Sequence, residues 1–323
     1  MEIVIPFVKV KAINPNMSKF KSLDQSDEYY KCIVVSFMSF RKFNPDINLV
    51  LATNISPPTT YLSWLDKLGV KIRKIPFTYE PPFEFGDKFK GCFYIFDAIN
   101  VATDDALYID PDFLCIKDLK NLSRELDTKV GIFELDFPKD YKINGMTVNE
   151  AAEIWSIFKP WATTPPNNLS HFGGEAIYIP LEKLAEVNSD IDKVWNWNKH
   201  QAKSGQKLLT TEEHIFTNLL KSTDLVLLNN YISRVWTARS FSENQGSKKP
   251  VTELSMWHLP SEKNRGFKVM YETLNSSNNL LEMDNEKFIS MCLEIFHIDS
   301  RLYKFIYKLR KWFIRIVTIK FNN

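Results

Sequence analysis

Apolar and polar positions alternate or cluster along the first 120 residues in a repeating way. Residues 2–10 (EIVIPFVKV) read as a strand. A helix opening at Ser26 or Asp27 and running to about Phe43 follows. Its apolar positions Tyr30, Ile33, Val34, Phe37, Met38 and Phe40 suit a mostly buried face. Asn44-Pro45-Asp46 ends it. Residues 47–53 read as a strand, 59–68 as a helix stopped by Gly69, and 70–75 as a third strand. A loop rich in proline and aromatics leads to a helix expected over 87–103. A short apolar strand follows at 106–109. Strand–helix alternation of this kind predicts a parallel sheet with right-handed crossovers and ligand loops along the carboxyl edge of its strands.

The second half is less regular. Strands are expected over 129–135 and 225–228 and after the Gly173-Gly174 pair. Helices are expected over 147–158 and 181–200 and from Thr210-Thr211 onward. Paired glycines let a backbone approach another group closely, or simply make a bulge. Residues 240–250 are polar and loop-like.

The chemistry gathers first at Tyr108-Ile109-Asp110-Pro111-Asp112. Pro111 has no N–H and cannot continue a central ladder, so the strand ends with two carboxylates at its carboxyl end. Two carboxylates so close repel each other unless a cation sits between them. Hard oxygen ligands suit Mg²⁺ or Mn²⁺, which can also bridge a diphosphate. The plain alternative is a turn with two solvated aspartates, for which Asp-Pro-Asp is good chemistry.

Composition narrows the field. With 323 residues, 44% apolar and 25% charged, the chain can bury a sizeable core. Gly-x-Gly-x-x-Gly and Gly-Lys-Ser/Thr are both missing, so the phosphate cradles of Rossmann dinucleotide and P-loop proteins are not here. Cys32, Cys92, Cys115 and Cys292 lack zinc spacing and read as free thiols of a reducing compartment. No signal-peptide pattern opens the sequence and no run of about 18 apolar residues crosses a bilayer. Seven of the 41 basic residues lie in 301–323, which has no acid, leaving 34 basic against 39 acidic in the body. A mildly acidic body argues against a nucleic-acid partner. Within the tail, Leu302, Phe305, Ile306, Leu309, Phe313 and Ile316 recur at three- and four-residue intervals. Arg301, Lys304, Lys308, Lys311 and Arg315 form the opposite stripe. That is an amphipathic helix of about 19 residues, suited to lie on an anionic membrane surface or to pack on its own domain.

The order of four stretches resembles the GT-A-fold glycosyltransferases, nearest the retaining, glycogenin-like and bacterial lipopolysaccharide galactosyltransferase group. They are Tyr108-Ile109-Asp110-Pro111-Asp112, Phe172-Gly173-Gly174, Glu212-Glu213-His214, and His258 through Lys263. The resemblance spans roughly residues 1–270. It departs from the family pattern at Pro111, at Glu175 beside the glycine turn, and in a late segment one residue short between His258 and Lys263, without its glycine. The fold implied is α/β, a GT-A-type Rossmann-like, mostly parallel sheet flanked by helices, with the C-terminal amphipathic helix appended. Residues 1–120 would be the half that binds the nucleotide-sugar donor, 121–270 the acceptor half, and 271–323 a helical tail.

The resemblance implies a metal-dependent glycosyltransferase of bacterial surface polysaccharide assembly, acting on a glycan or lipid-linked glycan. It would be cytoplasmic, peripheral at the inner face of the membrane. Asp110, Asp112 and His258 would hold Mn²⁺ or Mg²⁺, with Asp110 also a ribose ligand. Lys263 would meet the diphosphate; Lys88 and Lys90 are further phosphate candidates, although a solvated helix start explains them as well. Glu175, Glu212 and Glu213 are the acceptor-side acids, though helix capping alone accounts for the last two. In an inverting enzyme one of the three would deprotonate the acceptor hydroxyl. In the retaining outcome that the resemblance favours, the leaving phosphate does so and the carboxylate or a carbonyl braces the oxocarbenium-like centre. Two other functions fit the same sheet. One is a sugar-nucleotide pyrophosphorylase, for which Phe7 through Asn14 lacks the glycine-rich loop. The other is a non-catalytic carbohydrate-binding protein.

Overall fold

The computed structural model describes residues 1–10, 25–85, 89–158, 170–206, 208–220, 225–237, 244–276 and 279–298. The strand–helix alternation holds through β1 (Glu2–Phe7), α1 (Gln25–Phe43), β2 (Asn48–Thr53), α2 (Thr59–Lys67), β3 (Val70–Lys74), α3 (Tyr94–Asn100) and β4 (Ala106–Ile109). Then come β5 (Phe113–Cys115), α4 (Lys120–Leu126), β6 (Val130–Leu135), α5 (Val148–Phe158) and β7 (His171–Ile179). The chain continues through α6 (Leu184–Lys203), α7 (Glu212–Leu219), β8 (Leu225–Leu227), β9 (Ile232–Val235), β10 (Asn244–Gln245) and β11 (Met256–His258). α8 (Gly266–Ser276) and α9 (Asn285–Ile295) complete it.

A seven-stranded sheet runs β3-β2-β1-β4-β7-β6-β8. It is mostly parallel, as expected; β7 is the exception, antiparallel to both β4 and β6. Period-2 alternation covers both faces. Ile3, Ile5, Leu49, Leu51, Leu107 and Ile109 enter one apolar cluster, with α1, α2, α8 and α9. Val4, Val50, Ala52, Ala106 and Tyr108 enter the other, with α3, α6 and α7. Pro6 sits beyond the last β1–β4 partner pair, Val4 with Tyr108, so its missing N–H interrupts no bond there.

A second, four-stranded sheet, β10-β9-β11-β5, is not evident from the sequence pattern because its strands are only two to four residues long. It brings the late segment of the chain onto the strand directly after Asp112. Met256, Trp257 and His258 pair with Cys115, Leu114 and Phe113, and the Leu259 N–H donates to the Asp112 carbonyl at 3.0 Å.

Two boundaries differ from expectation. β1 stops at Phe7, three residues early. The helix expected over 87–103 occupies only Tyr94–Asn100. Phe89 has φ of 59°, which a right-handed helix cannot contain, so the helical pattern begins after it. Lys88 and the basic tail 301–323 lie outside the described residues. Among the described residues no helix is long and apolar enough to cross a membrane.

Candidate active site

β4 delivers Asp110 to the carboxyl edge of the sheet, where its N–H donates to the Glu175 carbonyl at 3.0 Å. The chain turns at Pro111 and enters β5, drawing Asp112 inward. Asp112 is completely buried, so the solvated-turn alternative fails; Asp110 remains half exposed. His258, paired in register with Phe113, reaches both carboxylates. Its Nε2 lies 3.6 Å from Asp110 Oδ2 and 3.5 Å from Asp112 Oδ2. One ligand atom from each of Asp110, Asp112 and His258 lies within 4.8 Å of the others.

The donor chemistry of this trio fits a divalent cation. Asp112 Oδ1 and His258 Nε2 are buried and make no hydrogen bond. Unmet buried polar atoms are costly, and a shared cation satisfies both at once. Lys263 meets neither atom, since its ammonium is ion-paired with the other oxygen of Asp112, Oδ2. Burial opposes charge on Asp112, but Lys263 and His258 hold its carboxyl well below the usual carboxylate range. Burial and the neighbouring Asp112 charge push Asp110 the other way, upward. Burial opposes charge on His258 too, yet Asp112 and Glu175 raise it to about 9.

The late loop is pinned from behind. Glu262, fully buried, accepts from the Gly266 N–H at 3.1 Å and pairs with Thr237 and Arg265. That fixes the turn from which Lys263 points back toward Asp112.

Asp110, Asp112, His258 and Lys263 line an open cleft of about 210 Å³ that the start of α7 also lines. Thr211 caps α7, accepting from the His214 N–H. Glu212 and Glu213 therefore sit in its first turn, as capping alone predicts, but both also line the cleft. Burial raises both carboxyls. Glu213 adds to the rise on Glu212, and Glu175 to that on Glu213 against the pull of Arg234. Asn144 Nδ2 donates to Glu213 Oε2 at 2.8 Å. His214 is structural: its Nε2 lies 3.0 Å from the Ile143 carbonyl.

The two glycines of β7 make room for the chain's own acids. A Cβ at Gly173 would lie 1.9 Å from Glu175 Oε2, and one at Gly174 2.1 Å from Glu212 Oε1. Glu175 itself is buried behind the cleft wall. Its Oε1 accepts from Arg234 Nε at 2.8 Å, and Arg234 also stands 3.7 Å from Glu213. Burial would raise the Glu175 carboxyl, but Arg234 and His258 hold it at about 2.

The structure thus gathers Asp110, Asp112, His258 and Lys263, with Glu212 and Glu213 lining the same cleft. Lys90 is described but does not line the cleft. Sequence reasoning missed Arg234, Asn144 and Phe113. The stretch Ile232-Ser233-Arg234-Val235 carries no local signal that marks Arg234. Cys92 borders the cleft and Cys32, Cys115 and Cys292 are buried; all four are free thiols.

No family model and no curated protein sequence matches the chain. Solved structures do share its fold. The apo structure of the bifunctional glycosyltransferase WbbM matches with a TM-score of 0.51 and 12% identity over 89% of this chain and 51% of that one. This chain therefore spans about half of WbbM's length. An active-site mutant of LgtC matches at 0.54 and 14%, over 85% of this chain and 96% of that one. The galactosyltransferase LgtC in complex with donor and acceptor sugar analogs matches at 0.50 and 14%, over 84% and 96%. At such identities the likeness is one of fold, and the fold is the GT-A type of these glycosyltransferases.

Proposed function

We propose that this chain is a metal-dependent glycosyltransferase that moves a sugar from a nucleotide-sugar donor to a glycan or lipid-linked glycan. The observation that carries this reading is the convergence of Asp110, Asp112 and His258 on one point of a cleft at the carboxyl edge of the sheet. The fold neighbours support it, since one of them is a galactosyltransferase with donor and acceptor sugar analogs.

In this reading a bound Mn²⁺ or Mg²⁺ supplies a Lewis acid that stabilises negative charge growing on the leaving diphosphate. Asp110, Asp112 and His258 hold it, and their mixed oxygen and nitrogen set favours Mn²⁺. Lys263 exchanges its ion pair with Asp112 for the diphosphate. Glu212 and Glu213 face the acceptor side of the cleft. In the retaining outcome the leaving phosphate takes the acceptor proton and one of these carboxylates braces the oxocarbenium-like centre, whereas in an inverting one it would take that proton itself. Residues 1–120 form the donor half and 121–270 the acceptor half. We take the retaining outcome as the working assignment, to be read from the anomeric proton couplings of the product.

The test is turnover of a panel of nucleotide sugars with and without Mn²⁺. Release of nucleoside diphosphate from at least one donor, stimulated by Mn²⁺ and abolished by a chelator, is the expected result. Silence across the panel, with glycans still bound, turns the reading toward a carbohydrate-binding protein. Exchange of pyrophosphate into a nucleotide sugar turns it toward a pyrophosphorylase.

The tail extends the proposal to place and pathway: a cytoplasmic enzyme at the inner face of a bacterial membrane, serving surface polysaccharide assembly. Its basic stripe would draw it to anionic lipid by on the order of 1 kcal/mol per charge. The full-length protein is expected to sediment with anionic vesicles at low salt and to leave them at high salt. Indifference to vesicles of every charge would return the tail to the protein's own surface.

A further inference from the structure

His258 stands in a row of three across the smaller sheet. Its partner on one side is Phe113 and on the other Arg234. The Phe113 ring lies flat against the imidazole, 5.0 Å between centroids and 9° between planes, and so fixes the plane of the ring. What that packing leaves unset is which ring nitrogen carries the proton. Nε2 faces Asp110 and Asp112. Nδ1 faces Glu175 Oε1 at 3.5 Å. Both nitrogens are buried and neither makes a hydrogen bond.

A neutral imidazole that ligates a cation through one nitrogen carries its proton on the other. A carboxylate facing that proton fixes the tautomer and makes the ligating nitrogen more basic. Glu175 is the group in position, reaching across from β7 of the larger sheet. A glutamate only 1% exposed would otherwise shed its charge. Arg234 prevents this by donating to the same Oε1 through Nε at 2.8 Å and approaching it through a terminal nitrogen at 2.7 Å. Glu175 does not line the cleft, whereas Glu212 and Glu213 do.

We propose that Glu175 is a positioning residue for the cation site: it accepts a hydrogen bond from His258 Nδ1–H, Arg234 holds it there, and it never touches the sugar. This rests on the metal reading above. Of the three acceptor-side acids, it leaves Glu212 and Glu213 to face the acceptor.

The test is Mn²⁺ affinity of the full-length protein, read by electron paramagnetic resonance titration without any nucleotide sugar. Glu175→Gln keeps the shape and one acceptor oxygen, and is expected to weaken binding several-fold. Glu175→Ala removes the acceptor and is expected to weaken it about 10- to 100-fold. In Mg²⁺-loaded protein the ¹⁵N spectrum of His258 should show the proton on Nδ1, with that resonance shifted in Glu175→Gln. A merely structural Glu175–Arg234 pair would lower the Tm of these variants and leave Mn²⁺ affinity alone. If Glu175→Ala does not fold, Glu175→Gln decides. Folded variants that bind Mn²⁺ within twofold of the parent, while His258→Ala loses it, overturn the role of Glu175 and keep the metal site. A His258→Ala protein that binds Mn²⁺ like the parent overturns both.

Discussion

Asp112→Asn is expected to cut Mn²⁺-dependent turnover at least about a thousandfold while leaving the protein folded. The size follows from what is lost. A carboxylate at full burial, directed at the cation, carries part of the charge that stabilises the leaving diphosphate. That stabilisation amounts to several kcal/mol, at about 1.4 kcal/mol for each tenfold in rate. The isosteric amide keeps the volume, and the Asp112 carbonyl keeps its bond from Leu259. Lys263 loses its partner, but its side chain is 24% exposed and can hydrate. Asp110→Asn should hurt less, because Asp110 is half exposed and water can take over part of its role. Initial rates with the best nucleotide sugar and near-ultraviolet circular dichroism check the two halves of the claim. An Asp112→Asn protein that turns over fully in the presence of a chelator would sink it.

The contrast between Asp110–Asp112 and Arg234 explains what a sequence can and cannot disclose here. The aspartates stand two positions apart in the chain, on either side of the proline that ends an apolar strand. Local rules therefore place them at the sheet edge. His258 and Lys263 are more than 140 residues away and were assigned only through the order of features shared with a known family. Their approach to Asp112 depends on β11 pairing with β5. Three-residue strands have no periodicity to read, so that pairing leaves no local trace. Arg234 and Phe113 are invisible for the same reason: each matters as a cross-strand neighbour of His258. The helix expected over 87–103 failed for a different cause. Its apolar spacing continues through Phe89, but the backbone there turns left-handed beside the cleft, and tertiary context overrode the pattern.

Glu175 shows the same limit from the other side. The sequence marked it as an acid beside a glycine pair, which is correct, and grouped it with Glu212 and Glu213. Its deeper burial, its place behind the cleft wall and its approach to His258 Nδ1 separate it from them; Arg234 reaches both Glu175 and Glu213.

The pH dependence of metal loading should be steep and should run opposite to that of the metal-free protein's stability. His258 is held up at about 9 by the carboxylates around it, against an ordinary value of 6.5. A cation takes the imidazole only in its neutral form, so between about pH 7 and 9 binding must expel one proton. Apparent affinity then rises about tenfold for each pH unit. Below that range the raised Asp110 carboxyl must also lose a proton, and the slope steepens further. For the metal-free protein the sign reverses. A group with its folded pKa raised above the unfolded value adds stability that is complete below about 6.5 and is lost as pH climbs through about 9. The Tm without metal should therefore fall over the interval in which Mg²⁺ affinity climbs. The stabilisation conferred by a fixed Mg²⁺ concentration should grow correspondingly. Calorimetric titration at pH 7.0 and 8.5, in two buffers of different ionisation enthalpy, counts the proton directly. An affinity that does not change between those two values, with no buffer-dependent heat, would mean that His258 is not a ligand in its neutral form and that the cation is held by the aspartates alone.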